Sequence, residues 1–273
     1  MGTPPKPSPV KAPLNMKSSS HTSVIRCELI ETSLEDPPQY TALSYAWGDA
    51  DDTVNIEVNG IRTRVTSSLQ GALRALRRSD DTLLIWADAI CIDQSNKAEQ
   101  SSQVRPMATI YSKAESVVVW IGPRSPDSSS AIPLALELCN ASDSEGKVES
   151  CIEKESNRDY FAALVNLFER DYWSRLWVVQ EILSAKSVTV CCREGSIPWG
   201  VLQELMAVLE RHEDILKHCF PSGFARGSRH RQSFAHILLS GRASQCWRAR
   251  DIRRRGRRNT ARYIANLSFE AHL

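Results

Sequence analysis

Residues 83–87, Leu-Leu-Ile-Trp-Ala, form a continuous apolar run that decides the fold class of this chain. Such a run is typical of a strand that is buried on both faces of a parallel sheet. Residues 116–121 are similar and are followed by Gly122-Pro123. Apolar strands alternate with helical patterns along the chain, which predicts an α/β fold: a partly parallel sheet, flanking helices and an added helical region after residue 124. We expect 83–87 and 116–121 to be neighbouring strands.

The strongest local signal outside this run is a β-hairpin. Apolar and polar residues alternate over 54–58, Asn59-Gly60 follows, and a second strand-like run ends at Val65. Because Asn and Gly accept the positive φ of a type I′ turn, the pattern predicts two antiparallel strands joined at these two residues. Residues 66–68, Thr-Ser-Ser, are then expected to cap the following helix.

The composition fits a globular protein and excludes several other classes. Of 273 residues, 42% are hydrophobic and 24% are charged, as in ordinary folded domains. No run of 18 apolar residues occurs, so we expect neither a spanning helix nor a membrane partner. The first residues lack the apolar core of a secretory signal, and the eight cysteines form no C-x-x-C pair. We therefore expect a cytoplasmic protein with reduced thiols and no metal site.

Basic residues are concentrated towards the C-terminal end. Residues 226–262 hold 12 arginines and one acidic residue, Asp251, which leaves 22 basic and 31 acidic residues elsewhere. The chain is expected to contain four segments: a disordered leader over 1–22, a main domain over 23–200, a helical extension over 201–245 and an Arg-rich tail over 246–273.

The tail has two interpretations. It is either a genuine basic segment or the product of an incorrect reading frame that begins near Cys246. A genuine tail would act as a nuclear import signal or bind nucleic acid. It lacks interleaved aromatic residues apart from Trp247 and Tyr263, so nucleic acid is not an expected partner.

Three segments place polar residues directly against aromatic ones at the end of a predicted element. Residues 40–49 read Tyr-Thr-Ala-Leu-Ser-Tyr-Ala-Trp-Gly-Asp, residues 86–94 read Trp-Ala-Asp-Ala-Ile-Cys-Ile-Asp-Gln, and residues 173–181 read Trp-Ser-Arg-Leu-Trp-Val-Val-Gln-Glu. Together they closely resemble the heterokaryon incompatibility (HET) domain of filamentous fungi. That family's pattern is L-S-Y-x-W-G, then D-x-x-C-I-x-Q, then R-x-W-x-x-Q-E, and all three motifs occur here in this order.

The resemblance implies a fungal protein concerned with non-self recognition and programmed cell death in vegetative incompatibility. It further implies a protein that acts by partner-dependent assembly, with protein partners and self-association. Neither composition nor spacing carries these expectations by itself.

The third motif also resembles the glutamate helix of TIR domains, in which a tryptophan precedes a catalytic glutamate by four residues. Trp177 and Glu181 have this spacing and would share one helical face. Some TIR domains cleave the nicotinamide–ribose bond of NAD. This resemblance implies a TIR-like or flavodoxin-like fold, NAD as a substrate, and Glu181 as the catalytic residue. One carboxylate suits the reaction, because the leaving group departs as a neutral base and only the oxocarbenium-like ribose needs stabilisation.

Other motif residues complete the candidate site. Asp88 follows the decisive apolar run, at the carboxyl end where ligands of open α/β sheets gather. It is the second catalytic candidate, and would bind a ribose hydroxyl or orient Arg175, itself a candidate substrate-binding residue. Tyr45, Trp47 and Trp177 are candidates to stack on the nicotinamide or adenine ring.

Structural alternatives stand beside each of these roles. Glu181 would pair with Arg175 or another basic group, Arg175 would make a structural bidentate pair, and Asp88 would cap the following turn. Trp47 and Trp177 would be core or groove aromatics. Convergence of Glu181, Asp88 and Trp47 on one open pocket would favour catalysis over a module that acts by assembly alone.

Overall fold

The structure is a computed structural model with two compact units. The first unit comprises Met1–Ser129 and Glu169–Ile197, and the second comprises Ser130–Phe168 and Pro198–Leu273. Within them, the structure describes residues 10–16, 24–77, 82–96, 107–123, 128–144, 146–175, 178–192 and 195–220. The Arg-rich tail over 246–273 lies outside the described residues.

Strands in the described part of the chain form one sheet of nine, in the order β5-β4-β2-β1-β6-β3-β7-β8-β9. Their bounds are β1 Val10–Met16, β2 Arg26–Thr32, β3 Thr41–Tyr45, β4 Thr53–Val58, β5 Ile61–Thr66, β6 Leu83–Trp86, β7 Ser116–Trp120, β8 Val188–Cys192 and β9 Gly195–Pro198.

Four strands at the centre of this sheet are parallel. β3 pairs in parallel with β6 on one side and with β7 on the other, and β7 pairs in parallel with β8. Numbered among themselves in chain order, the four strands are arranged 2-1-3-4, the order of a flavodoxin-like sheet. The predicted α/β class with a partly parallel sheet is therefore confirmed.

The expectation that 83–87 and 116–121 are direct neighbours is wrong. They form β6 and β7 of the same sheet, but β3 lies between them and pairs with both. The connection from β6 to β7 passes over β3, so the strand order reverses there. β3 is consequently the topological switch point of the sheet.

The hairpin between β4 and β5 forms as predicted. The strands pair antiparallel from Thr53 opposite Thr66 to Val58 opposite Ile61. Asn59 and Gly60 both have positive φ, 51° and 77°, as a type I′ turn requires. The expected cap over 66–68 is provided by the first of these residues, since the Thr66 side chain accepts a hydrogen bond from the Leu69 amide.

The predicted leader over 1–22 contains a strand. β1 pairs antiparallel with β2 and with β6, and its register shifts between Lys11 and Leu14, where Pro13 lacks a donor for the ladder. The expectation of a wholly disordered leader therefore does not hold for residues 10–16. The Pro- and Lys-rich composition concealed the strand, because the backbone groups find their partners on strands distant in sequence.

The helices of the described residues differ between the two units. In the first unit they are α1 Ser67–Leu76, α2 Asp88–Cys91, α3 Met107–Lys113 and α7 Val178–Ser184, with a 3₁₀ turn over Asp171–Ser174. In the second they are α4 Ser128–Ala141 (which begins two residues before the boundary), α5 Lys147–Glu153, α6 Arg158–Phe168, α8 Trp199–Arg211 and α9 Glu213–Cys219.

Helices after residue 124 were expected, and the second unit contains them. Its core includes the fully buried residues Leu138, Phe161 and Leu205, and the rings of Phe161 and Phe220 lie 5.0 Å apart between centroids. No helix among the described residues is long and apolar enough to cross a membrane.

Candidate functional site

An open cleft of about 1140 Å³ lies in the first unit, at the carboxyl ends of the central parallel strands. The segments that follow β3, β6 and β7 supply much of its lining, and the chain around the 3₁₀ turn and α7 supplies most of the remainder. Ser68 of α1 and Met107 of α3 complete it. This is the edge and the switch point at which open α/β sheets bind ligands. The cleft is lined by residues of all three sequence motifs, including Trp47, Asp88, Arg175 and Glu181.

Trp47 stands at the cleft as an exposed aromatic side chain held by one hydrogen bond. It follows β3, is 42% exposed, and its indole Nε1 donates to Asp88 Oδ2 at 2.9 Å. The alternative of a buried core aromatic is excluded by this exposure. Trp47 is a cleft aromatic whose orientation is fixed by a carboxylate.

Asp88 uses both of its carboxylate oxygens within the protein. Oδ2 accepts from Trp47, and Oδ1 accepts from the Ala89 amide at 2.8 Å. Burial raises the pKa of Asp88, while the hydrogen bonds from Trp47 and Ala89 oppose that rise. The N-cap of α2 is Ala87 and no side chain caps this helix; Asp88 contacts only the adjacent amide through Oδ1, and it lines the cleft.

Glu181 lies on α7 and is almost wholly buried, yet it contributes to the cleft lining. Its side chain is 2% exposed, and Arg175 Nη2 lies 3.4 Å from Oε1. The Ser44 hydroxyl donates to Oε2. Burial raises the pKa of Glu181, and the charge of Arg175 together with the Ser44 hydrogen bond lowers it in part. Glu181 therefore makes the ion pair with Arg175 that the structural alternative predicts, and it also lines the cleft.

Arg175 retains donor capacity beyond its contact with Glu181. Its Nη1 is buried and makes no hydrogen bond to any described residue. Its guanidinium carbon lies 6.0 Å from the centre of the Tyr172 ring, at the outer limit of a cation–π contact. Although burial lowers the pKa of Arg175, Glu181 raises it, and the net direction is upward. The arginine thus stays charged, and does not make the predicted bidentate pair.

Two other candidates are placed differently. Tyr45 is 1% exposed and does not line the cleft, so its ring is not available for stacking in this structure. Burial, then the charge of Asp88, raises the pKa of the Tyr45 hydroxyl well above the ordinary value. Trp177 lies outside the described residues.

Three residues of the site carried no assigned role in the sequence. Arg170 lines the cleft and donates through Nη1 to the carbonyl oxygens of Ile121, Gly122 and Pro123, at 3.1, 3.2 and 3.1 Å. Tyr172 also lines the cleft, and its hydroxyl contacts Ser44, which is buried and does not line the cleft. Ser44 belongs to the first motif, so its position there was a usable signal, whereas nothing in the sequence distinguished Arg170 or Tyr172.

The charge of the cleft lining is mainly negative. Five acidic residues line it against two arginines: Asp49, Asp88, Glu169, Asp171 and Glu181 against Arg170 and Arg175. No group of three metal-ligating side chains occurs within the described ranges.

Comparisons with known proteins agree with the motifs. Residues 40–181, about half of the chain, match the family model "Heterokaryon incompatibility protein (HET)". A relative from Neurospora crassa (strain ATCC 24698 / 74-OR23-1A), "Heterokaryon incompatibility protein 6, OR allele", is 41% identical over 134 residues. These residues are 44% of this chain and 20% of the relative, so the match spans about a fifth of the relative's length. No solved structure matches, and the TIR-like likeness remains a prediction. By its sequence and by the motifs that line the cleft, the chain belongs to the heterokaryon incompatibility (HET) protein family.

Proposed function

We propose that this chain acts in fungal heterokaryon incompatibility, where partner-dependent assembly on non-self recognition leads to cell death. The family match and the name of the Neurospora relative support this role. Assembly would bring several copies of this chain together, or this chain and a protein partner. We expect it to activate the cleft of the first unit.

We further propose that the chemistry of this cleft is hydrolysis of the nicotinamide–ribose bond of NAD. One observation carries this proposal: Glu181, Asp88 and Trp47 meet at a single open cleft at the switch point of the sheet. An assembly module without chemistry has no need for a buried carboxylate at the wall of an open cleft. Such an arrangement is expensive in desolvation and typical of functional sites.

The reaction is a simple exchange at C1′ of the ribose. The bond between C1′ and the pyridinium nitrogen breaks, and its electron pair returns to the ring, so nicotinamide leaves as a neutral base. The oxygen of water bonds to C1′ and loses a proton, giving ADP-ribose, nicotinamide and one released proton. No acid has to protonate the leaving group.

The residues of the cleft fit the needs of this reaction. The ionised Glu181 carboxylate supplies negative charge beside the oxocarbenium-like ribose. Trp47, fixed by Asp88 at 2.9 Å, offers a flat face to a nucleotide ring. Arg175 remains a cation beside Glu181, and orients the substrate through its charge.

The test is NAD consumption by the purified protein, followed by chromatography of nicotinamide and ADP-ribose. Glu181→Gln keeps the size of the side chain and removes the charge, so we expect its rate to fall at least a hundredfold, about 3 kcal/mol in the barrier. Glu153→Gln is the matched control, because Glu153 is an exposed carboxylate on α5 of the second unit. Equal rates for the wild type and Glu181→Gln would contradict the catalytic role.

Assembly is tested in the same preparation. The protein is fused to a domain that dimerises on addition of a small ligand, and both mass by light scattering and NAD consumption are measured. We expect consumption to rise with assembly. If assembled wild-type protein consumes no NAD, while forced assembly still kills fungal cells, the incompatibility role stands and the enzymatic mechanism is wrong.

A further inference from the structure

We propose that Ser44 and Tyr172 are positioning residues for Glu181, forming a directed hydrogen-bond chain that fixes its carboxylate at the wall of the cleft. This role rests on the proposed function, since a fixed carboxylate matters for activity only if it acts on a ligand. Neither residue contacts the reacting atoms by this account; both act through Glu181.

The hydrogen-bond chain joins β3 to two elements that lie more than 120 residues further along the sequence. Ser44 lies on β3, Tyr172 lies in the 3₁₀ turn over Asp171–Ser174, and Glu181 lies on α7. Ser44 and Tyr172 are each about 1% exposed. Since bulk water does not reach these hydroxyls, their hydrogen bonds have no competitor and define the geometry.

The direction of the chain follows from counting protons. A serine hydroxyl has one proton, and that of Ser44 is donated to Glu181 Oε2. The contact between Ser44 Oγ and Tyr172 Oη, at 2.7 Å, must then use the tyrosine proton. Tyr172 therefore donates to Ser44, and Ser44 donates to Glu181. Each hydroxyl polarises the next, which strengthens the terminal bond to the carboxylate.

Three other groups act on the Glu181 carboxylate: Arg175, Tyr111 and Asp88. Arg175 approaches the opposite oxygen, Oε1, at 3.4 Å, a long distance for such a pair. Tyr111, from α3, stabilises the carboxylate, and Asp88, from α2, repels it. Ser44 thus holds one oxygen while Arg175 faces the other, so rotation of the carboxyl group is restricted from both sides.

The two hydroxyls make unequal contributions. Ser44→Ala removes both the donor to Glu181 and the oxygen that Tyr172 contacts. Tyr172→Phe removes only the polarising donor, and Ser44 still reaches the carboxylate. We expect Ser44→Ala to lower kcat about tenfold to a hundredfold, as for the loss of a hydrogen bond to a charged group, and Tyr172→Phe to lower it about threefold. KM should change little, because the substrate touches neither hydroxyl.

A pH profile separates positioning from a merely structural role. Loss of the Ser44 donor raises the pKa of Glu181, so the acid limb of kcat moves to higher pH in Ser44→Ala, and by less in Tyr172→Phe. Ser44→Thr retains a hydroxyl and should restore both the rate and the limb. The proposal is wrong if the variants lose activity while the acid limb of their kcat profile stays at the wild-type pH. It is also wrong if their activity falls only in proportion to the fraction of protein that is unfolded.

A second measurement does not depend on NAD chemistry. The titration of Glu181 is followed by carbon NMR of protein labelled at the glutamate carboxyl carbon, with Glu181→Gln used for assignment. If this titration moves to higher pH in Ser44→Ala and returns to the wild-type pH in Ser44→Thr, the proposed hydrogen-bond chain is supported even if the wild type consumes no NAD. In that case only the enzymatic proposal fails. If the Glu181 titration is unmoved in both Ser44→Ala and Tyr172→Phe, the proposed hydrogen-bond chain is wrong, whatever the activity. If Ser44→Ala does not fold, Tyr172→Phe alone provides this test.

Discussion

Replacing Arg170 by methionine should destabilise the first unit more than any ordinary change to a surface arginine. The Nη1 atom contacts three carbonyl oxygens in the segment after β7, but it carries only two protons, so the contacts amount to about two hydrogen bonds. Bonds to charged groups contribute about 1.5–3 kcal/mol each. Since Arg170 is half-buried and Pro123 is exposed, solvent screening reduces the total to about 2–4 kcal/mol. Methionine retains most of the aliphatic packing, which isolates the polar contribution.

Thermal unfolding measures this loss directly. A change of 1 kcal/mol shifts Tm by about 2–4 °C in a protein of this size, so we expect Arg170→Met to lower Tm by about 5–15 °C. Arg158→Met is the matched control, because Arg158 is an exposed arginine whose salt bridge with Glu155 lies on the surface at 2.7 Å, and such pairs contribute about 0–1 kcal/mol. If the two variants melt within about 2 °C of each other, the carbonyl contacts of Arg170 do not stabilise the fold as argued.

Three further results are expected. Gly60→Ala should destabilise the β4–β5 hairpin by roughly 1 kcal/mol in chemical denaturation, because φ is +77° although no atom lies within 4 Å of the added Cβ; unchanged stability would contradict the turn assignment. Burial raises the pKa of Glu181, so its stabilising contribution is complete below the ordinary pKa near 4.5 and is lost as pH rises through the raised value. We therefore expect the free energy of unfolding to fall less steeply with rising pH in Glu181→Gln than in the wild type, by up to about 1.4 kcal/mol per pH unit. If the free energies of unfolding of the two proteins follow parallel curves against pH, this expectation is wrong. Asp88→Ala should make Trp47 more accessible to quenching by acrylamide. The fluorescence of Trp47 is obtained by subtracting the signal of the same protein carrying Trp47→Phe. Equal quenching with and without Asp88 would show that the hydrogen bond does not hold the indole.

Local features of the fold were predictable because local chemistry determines them. The turn at Asn59-Gly60 follows from the φ values these residues tolerate, and the helix cap at Thr66 from its side-chain oxygen. The apolar runs correctly indicated buried parallel strands. The meeting of Trp47 and Asp88 at one cleft was also foreseeable, because the segments after parallel strands share one edge of the sheet. Glu181 lies on α7, which precedes β8, so its place at the cleft does not follow from this rule.

Strand order and most of the buried contacts were not predictable, since they depend on pairings between distant residues. Nothing within 83–87 or 116–121 reveals that β3 separates them. All five residues of β3 are buried. Apolar and polar residues therefore do not alternate in a way that shows which side chains face the cleft, and the sequence does not reveal that Tyr45 is unavailable for ring stacking. The hydrogen bonds of Ser44 span 128 and 137 residues. A serine in a strand gives no sign of such partners until the elements are in place.

The position of β3 explains how the three motifs of the family come into contact. The first motif occupies β3 and its exit, which supply Ser44 beneath the cleft and Trp47 at its rim. The second follows β6, and its Asp88 holds that tryptophan. The third reaches α7, and its Glu181 accepts the hydrogen bond that Ser44 donates. Each motif therefore completes a contact begun on β3. A substitution in one motif should consequently disturb the other two through the switch-point strand, and combined substitutions of Ser44 and Glu181 should be less than additive in rate, because removal of the carboxylate leaves the serine nothing to position.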